Sequence, residues 1–232
     1  MKAFVSHFCK TAAIALLISA AATVRAQNIA PGQMITPTNT FTVADLGTLV
    51  VQRQDTRTLT FGGLTLNYCA SSAVYRNSDG TLDFLYQVCN LNSNNSINRF
   101  AAAIFPFDTV TDISYSFDDI DGTDGVFSSG VRASGMVDRG ASGSPIGFNF
   151  SNESGGQLQV GENSTIMRVR TNTNTYSNGT ISVINGVAST VGSYAPGAFL
   201  AITAAPEPSA LLMTMPVLCG LGIVVRRRTP RA

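Results

Sequence analysis

Across residues 27–205 the apolar positions fall in short alternating runs, with few stripes of helical period. Runs rich in Val, Ile, Thr, Tyr and Phe suit a pleated, half-buried surface, and the Gly, Asn, Asp and Ser between them suit turns. The pattern predicts strands at 41–43, 58–61, 64–68, 73–76, 82–90 and 99–105. Later strands are predicted at 111–117, 131–136, 146–150, 164–171, 180–183 and 198–203. So many strands with so little helix predict an all-β chain: one β-sandwich or jelly-roll-like domain with a polar outer face. Phe84, Phe100, Phe105, Phe107, Phe117, Phe148, Phe150 and Phe199 are its expected aromatic core. No repeat period appears, which argues against a solenoid.

The sharpest local element is a hairpin. Asn77-Ser78-Asp79-Gly80 is a turn signature between two apolar runs. Leu64, Leu66 and Tyr68 alternate before it, and Leu82, Phe84, Tyr86 and Val88 after it. Cys69 and Cys89 fall on the opposite face. A turn centred on Asp79 sets Cys69 across from Cys89 and Val74 across from Phe84. Of the other cysteines, Cys9 lies in a leader-like segment and Cys219 in a C-terminal apolar run, which leaves two for the body. A Cys69–Cys89 disulfide is therefore predicted, contributing roughly 3 kcal/mol if unstrained. A redox-active pair is not expected, because there is no C-x-x-C and no helix N-terminus to lower a thiol pKa.

The two ends read as addresses. Residues 1–26 have the form of a secretory signal peptide: Lys2 and Lys10, an apolar stretch at 12–24, and Val24-Arg25-Ala26 before Gln27. Ala20-Ala21-Ala22 is a second cleavage candidate, and a retained anchor is the alternative. At the other end, Pro206-Glu207-Pro208 precedes an apolar run at 210–225 and then Arg226-Arg227-Arg228. The run is a marginal transmembrane helix, and the arginines beyond it put the body on the far side of the membrane. This order of parts resembles the PEP-CTERM sorting signal, whose tripartite tail is recognised and processed by an exosortase-like membrane enzyme. The resemblance covers 206–232 and implies that Pro206, Glu207 and Pro208 are the recognised residues, with Arg226, Arg227 and Arg228 as the topological stop. The same tail is sometimes labelled "ice-binding protein C-terminal domain", a description of the tail and not of the body. The text around 79–99 and 166–183 is similar to exported PEP-CTERM proteins of an uncharacterised β-sandwich kind, a resemblance that implies no activity.

Composition narrows the chemistry. The 232 residues are only 12% charged, against roughly 25% for an ordinary soluble domain, and the length suits one domain. The body, 27–205, holds eight arginines, thirteen acids and no lysine, a net charge of about −5. An acidic body does not seek nucleic acid or anionic lipid; cations and neutral polymers such as polysaccharide are partners it does not repel. The single histidine, His7, lies in the leader, so Ser-His-Asp and Cys-His catalysis and most transition-metal sites are not expected in the body. No phosphate-cradling or dinucleotide motif is present, and Gly140-Ala141-Ser142-Gly143 reads as a loop. Paired carboxylates leave a glycosidase conceivable, but tryptophan, the usual cleft lining, is absent. Asp118, Asp119, Asp121 and Asp124, on a Gly-punctuated loop, are hard oxygen donors suited to a structural Ca²⁺. Thr123 and Asp124 break the EF-hand frame there, and a solvated acidic turn is the alternative. Thr36, Thr38, Thr40 and Thr42, and Thr171, Thr173 and Thr175, alternate as solvent-facing strand residues do. They lack the stacked register that ice binding needs.

The expectation is a non-enzymatic exported surface protein. Its C-terminal helix first holds the body at the membrane, and an exosortase-like enzyme then processes it. It ends at the cell surface or outside, as a structural or adhesive part of the envelope or extracellular polysaccharide matrix. The alternative is a carbohydrate- or calcium-binding module.

Overall fold

The Asn77–Gly80 turn folds back as its residues dictate: Gly80 takes a left-handed φ of 84°, and Asp79 Oδ1 accepts the Thr81 N–H at 2.9 Å. The strands on either side are β3 (Leu64–Arg76) and β4 (Leu82–Asn90). They pair with Cys69 opposite Cys89 and Val74 opposite Phe84, the register the sequence predicts. Cys69 and Cys89 form a disulfide across it, with Cα atoms 5.1 Å apart.

A computed structural model describes residues 27–91, 94–123, 125–150 and 156–197. The remaining strands are β1 (Met34–Ile35), β2 (Thr48–Phe61), β5 (Arg99–Ala103), β6 (Thr111–Ser116), β7 (Met136–Arg139), β8 (Ile146–Asn149), β9 (Ile166–Thr171), β10 (Tyr176–Asn185) and β11 (Val187–Pro196). They form two antiparallel sheets, one of five strands in the order β2-β3-β4-β9-β6 and one of six in the order β1-β7-β8-β5-β10-β11. The fold is all-β and sandwich-like. Leu66, Tyr68, Phe84, Tyr86 and Met167 of the first sheet meet Phe100, Phe148, Ile181 and Val183 of the second. Phe100 stacks on Phe148 with ring centroids 4.6 Å apart.

The outer face of the five-stranded sheet is covered as well. Phe41, Ala73, Tyr75, Leu85, Ile120, Phe127 and Ile166 make a second apolar cluster there. Its lids are the segments before β2 and after β6, so β4 is buried along its whole length. The N-terminal segment 27–41 also runs beside β6: the Ile29 N–H donates to Thr111 O, Ile113 N–H to Gln27 O, and Phe41 N–H to Tyr115 O. Between those contacts β1 pairs with β7, so one segment closes an edge of each sheet.

Several expectations are corrected. Residues 41–43 are not a strand, because Phe41 turns into the outer cluster and Val43–Asp45 forms a single 3-10 turn. The predicted 64–68 and 73–76 are one strand, and β2 starts ten residues before the predicted 58–61. Most of 131–136 is loop, with β7 beginning at Met136. Phe107 and Phe117 are surface residues, 64% and 45% exposed. Thr171 and Thr173 face inward, and the Thr171 hydroxyl donates to Leu82 O at 2.8 Å. Thr36 to Thr42 do not form a regular strand. Phe199 and the predicted strand at 198–203 lie outside the described residues.

One buried side chain ties the closed flank together. Arg139 is 3% exposed. Its guanidinium donates to Gly143 O at 2.8 Å, Thr109 O at 2.8 Å, Pro106 O at 2.8 Å and Ile29 O at 3.2 Å. Carbonyls from the N-terminal segment, the β5–β6 connection and the β7–β8 turn thus share one cation. Replacing it strands several buried acceptors, each worth about 1–3 kcal/mol. Arg139→Met should therefore cost at least about 3 kcal/mol, read as a drop in urea midpoint with unchanged slope. An unchanged midpoint would show that Arg139 does not hold these segments.

Candidate functional site

The acidic loop is built as a lid. Asp119 Oδ1 accepts the N–H groups of Asp121 and Gly122 at 3.1 and 2.9 Å, and Asp121 Oδ2 accepts Val126 N–H at 2.8 Å. Gly125 leaves room for the Asp121 carboxylate, since a Cβ there would stand 1.9 Å from Asp121 Cγ. Ile120 and Phe127 plug the outer cluster. The Gln87 side chain both donates to Ser128 O at 2.6 Å and accepts Ser128 N–H at 3.0 Å. Burial pushes the Asp121 carboxyl up, against the Val126 and Phe127 bonds that pull it down. The carboxylates of Asp119 and Asp121 are thus spent on the loop's own backbone. Among the described residues no three acidic, cysteine or histidine side chains come together as a metal-binding group. Asp118 does not join the other two in such a group, and Asp124 lies outside the described residues.

A buried carboxylate sits beside this lid. Asp83, on the outer face of β4, has no exposed surface. Its Oδ1 accepts Asn77 Nδ2–H at 2.8 Å, and its Oδ2 lies 3.8 Å from Arg168 Nη1. Arg168, across the sheet on β9, donates from Nε to Ser114 Oγ at 2.9 Å and from Nη1 to Asp45 O at 3.3 Å. Its guanidinium stands 4.8 Å above the Phe41 ring. Asp45, Ser114 and Arg168, with Gln27, Asn39, Asp112 and Arg170, line a polar hollow of about 150 Å³. Burial raises Asp83 and Asp112 and lowers Arg168. Hydrogen bonds from the Thr42 backbone and hydroxyl hold Asp45 down. Asp83 is sealed from any substrate. Its chemistry is to pair with Arg168, which in turn holds the Val43–Asp45 turn and Phe41 over the sheet.

A second hollow is open and shallow. Ile104, Phe105, Pro106, Asp108, Ser142, Ser144, Ser177 and Pro196 line a groove at the end of β5, with Phe107 exposed alongside. Ile104 is 51% exposed and holds φ at 74°, a left-handed conformation that a β-branched residue rarely adopts. Its N–H donates to Ser144 Oγ at 2.8 Å, which fixes that conformation against the Gly140–Gly143 turn. The sequence marked this turn only as a loop and assigned Phe107 to the core. The run Ile104-Phe105-Pro106-Phe107 is the signal that could have identified the groove, because a proline within an apolar run ends a strand and leaves its neighbours at the surface.

The sorting residues Pro206, Glu207, Pro208, Arg226, Arg227 and Arg228, the helix expected at 210–225 and the leader 1–26 lie outside the described residues. Among the described residues no helix is long and apolar enough to cross a membrane. No protein-family profile, curated protein or solved structure matches the chain.

The Asp83–Arg168 pair sets a pH dependence. The pKa of Asp83 in the fold lies above its ordinary 3.8. Its contribution to stability is therefore fully present below that value and lost as pH rises through the folded pKa. Arg168→Met leaves Asp83 at neutral pH with only Arg170, whose Nε lies 3.9 Å from Asp83 Oδ1, and should cost up to about 3 kcal/mol. That deficit should shrink on acidification as Asp83 takes a proton. Urea titrations of both proteins between about pH 4 and pH 7 read this difference directly; a deficit independent of pH would remove Asp83 from the explanation.

Proposed function

We propose that the chain is a non-enzymatic exported protein, displayed at the cell surface as a structural or adhesive component of the envelope or extracellular polysaccharide matrix. Its body is a disulfide-locked sandwich with a jelly-roll-like exchange of strands between sheets. The observation that carries this reading is the Cys69–Cys89 cystine in a body set between a leader-like segment and a PEP-CTERM-like tail. Such a bond persists in oxidising compartments and is rare in the cytosol.

Secretion removes residues 1–26, and the disulfide then forms outside the cytosol. The apolar run at 210–225 holds the body at the membrane until an exosortase-like enzyme recognises Pro206, Glu207 and Pro208. Arg226, Arg227 and Arg228 stay on the cytoplasmic side. The acidic body repels phosphate-rich polymers and leaves neutral polysaccharide as a compatible partner. The open groove supports that choice: Ile104, Pro106 and Phe107 give an apolar platform, and Ser142, Ser144, Ser177 and Asp108 give polar groups at its margin.

Intact mass of the native protein, taken from membrane and extracellular fractions of its own host, tests the sorting step. The expected species begins at Gln27 and ends near 206–209. A mature protein that retains Arg226 to Ala232 would be plainly membrane-anchored, and the sorting proposal would fall.

A further inference from the structure

The two flanks of the sandwich are finished differently. On one flank the N-terminal segment covers the β6 edge and β1 covers the β7 edge. On the other, β2 and β11 each pair on one side only, and β11 lies against β2 and β3. Among the described residues no backbone hydrogen bond reaches the outer edge of β2. An uncovered edge is a template for another strand, and proteins usually blunt it with Pro, Lys or bulges. At 14 residues β2 is the longest strand; it contains no Pro or Lys, and its one irregularity lies near its start, between Leu49 and Val51.

The sequence beyond that irregularity is self-complementary. Laid antiparallel on a second copy and centred on Thr56, it sets Asp55 opposite Arg57 twice. It also sets Val51 opposite Phe61 twice, covering a phenylalanine that is 69% exposed in the single chain. Gln54 then faces Thr58, Gln52 faces Thr60, and Arg53, whose guanidinium pairs with Asp55 of its own strand, faces Leu59. Centring on Asp55 instead puts Asp55 against itself and Arg53 against Arg57. Centring on Gln54 pairs Arg53 with Asp55 but leaves Phe61 beyond the pairing. A two-fold axis perpendicular to the sheet keeps like faces on the same side, so the β11 edges of the two copies also approach one another.

We propose that β2 pairs antiparallel with β2 of a second copy of this chain about Thr56, making one sheet continuous across a homodimer. Sedimentation of the full chain in mild detergent tests it, with Asp55→Arg and Arg57→Asp as separate variants. Each puts like charges opposite one another twice and should weaken the dimer about tenfold or more. An equimolar mixture of the two variants restores opposite charges at both positions and should return the dimer to wild-type strength as a heterodimer. A monomeric wild type, an Arg57→Asp variant that associates as strongly as wild type, or a mixture that stays dissociated would overturn the pairing. Association through the shared tail would ignore both substitutions and is read as the second of these.

Discussion

The register of β3 against β4 governs the layers on both sides of the sheet. With Val74 opposite Phe84, β4 sends Leu82, Phe84, Tyr86 and Val88 between the sheets and Asp83, Leu85, Gln87 and Cys89 to the outer face. A slip of one residue would exchange the two sets. Asp83 and Gln87 would enter the apolar interior, and the outer lid would lose the side chains that hold it. The Cys69–Cys89 bond lies at the far end of this hairpin from its turn, so the turn fixes one end of the register and the disulfide the other. Covalent closure of the loop adds about 3 kcal/mol by restricting the unfolded chain.

Two buried arginines complete the layers by different physics. Arg139 directs its donors to carbonyls and gathers the N-terminal segment, the β5–β6 connection and the β7–β8 turn. Arg168 answers the carboxylate of Asp83, which the register places under the lid. Each solves a problem that burial creates: unsatisfied main-chain acceptors in one case and an isolated charge in the other. The acidic loop belongs to the same economy. Its carboxylates organise a turn that delivers Ile120 and Phe127 to the outer face, which explains why an apolar residue stands among its acids.

The hairpin was legible in the sequence because its alternation, its turn residues and its cysteines agree on one register. The strand at Val187–Pro196 was not, because its inward positions are Ser189, Val191, Ser193 and Ala195, small and partly polar residues that give weak hydrophobic contrast. The extension of β2 was hidden for a related reason: as an edge strand it carries Gln52, Arg53, Gln54 and Asp55 where an interior strand would alternate. Phe107 and Phe117 misled because an exposed aromatic in a connection looks the same in sequence as a buried one in a strand. Arg139 left no trace at all; its carbonyl partners are main-chain atoms that any residue supplies. Of the candidate sites, the disulfide followed from spacing, whereas the groove around Ile104 depends on a backbone conformation that residue identity does not announce.

The reading of this chain as an exported, oxidised sandwich rests on the cystine more than on any other feature. Trapping free thiols by alkylation while the protein is still in its native host, followed by peptide mapping without reduction, tests that reading most directly. It predicts one linked peptide pair containing Cys69 and Cys89, with neither residue alkylated. Recovery of both cysteines as alkylated thiols would place the folded protein in a reducing compartment and contradict the account.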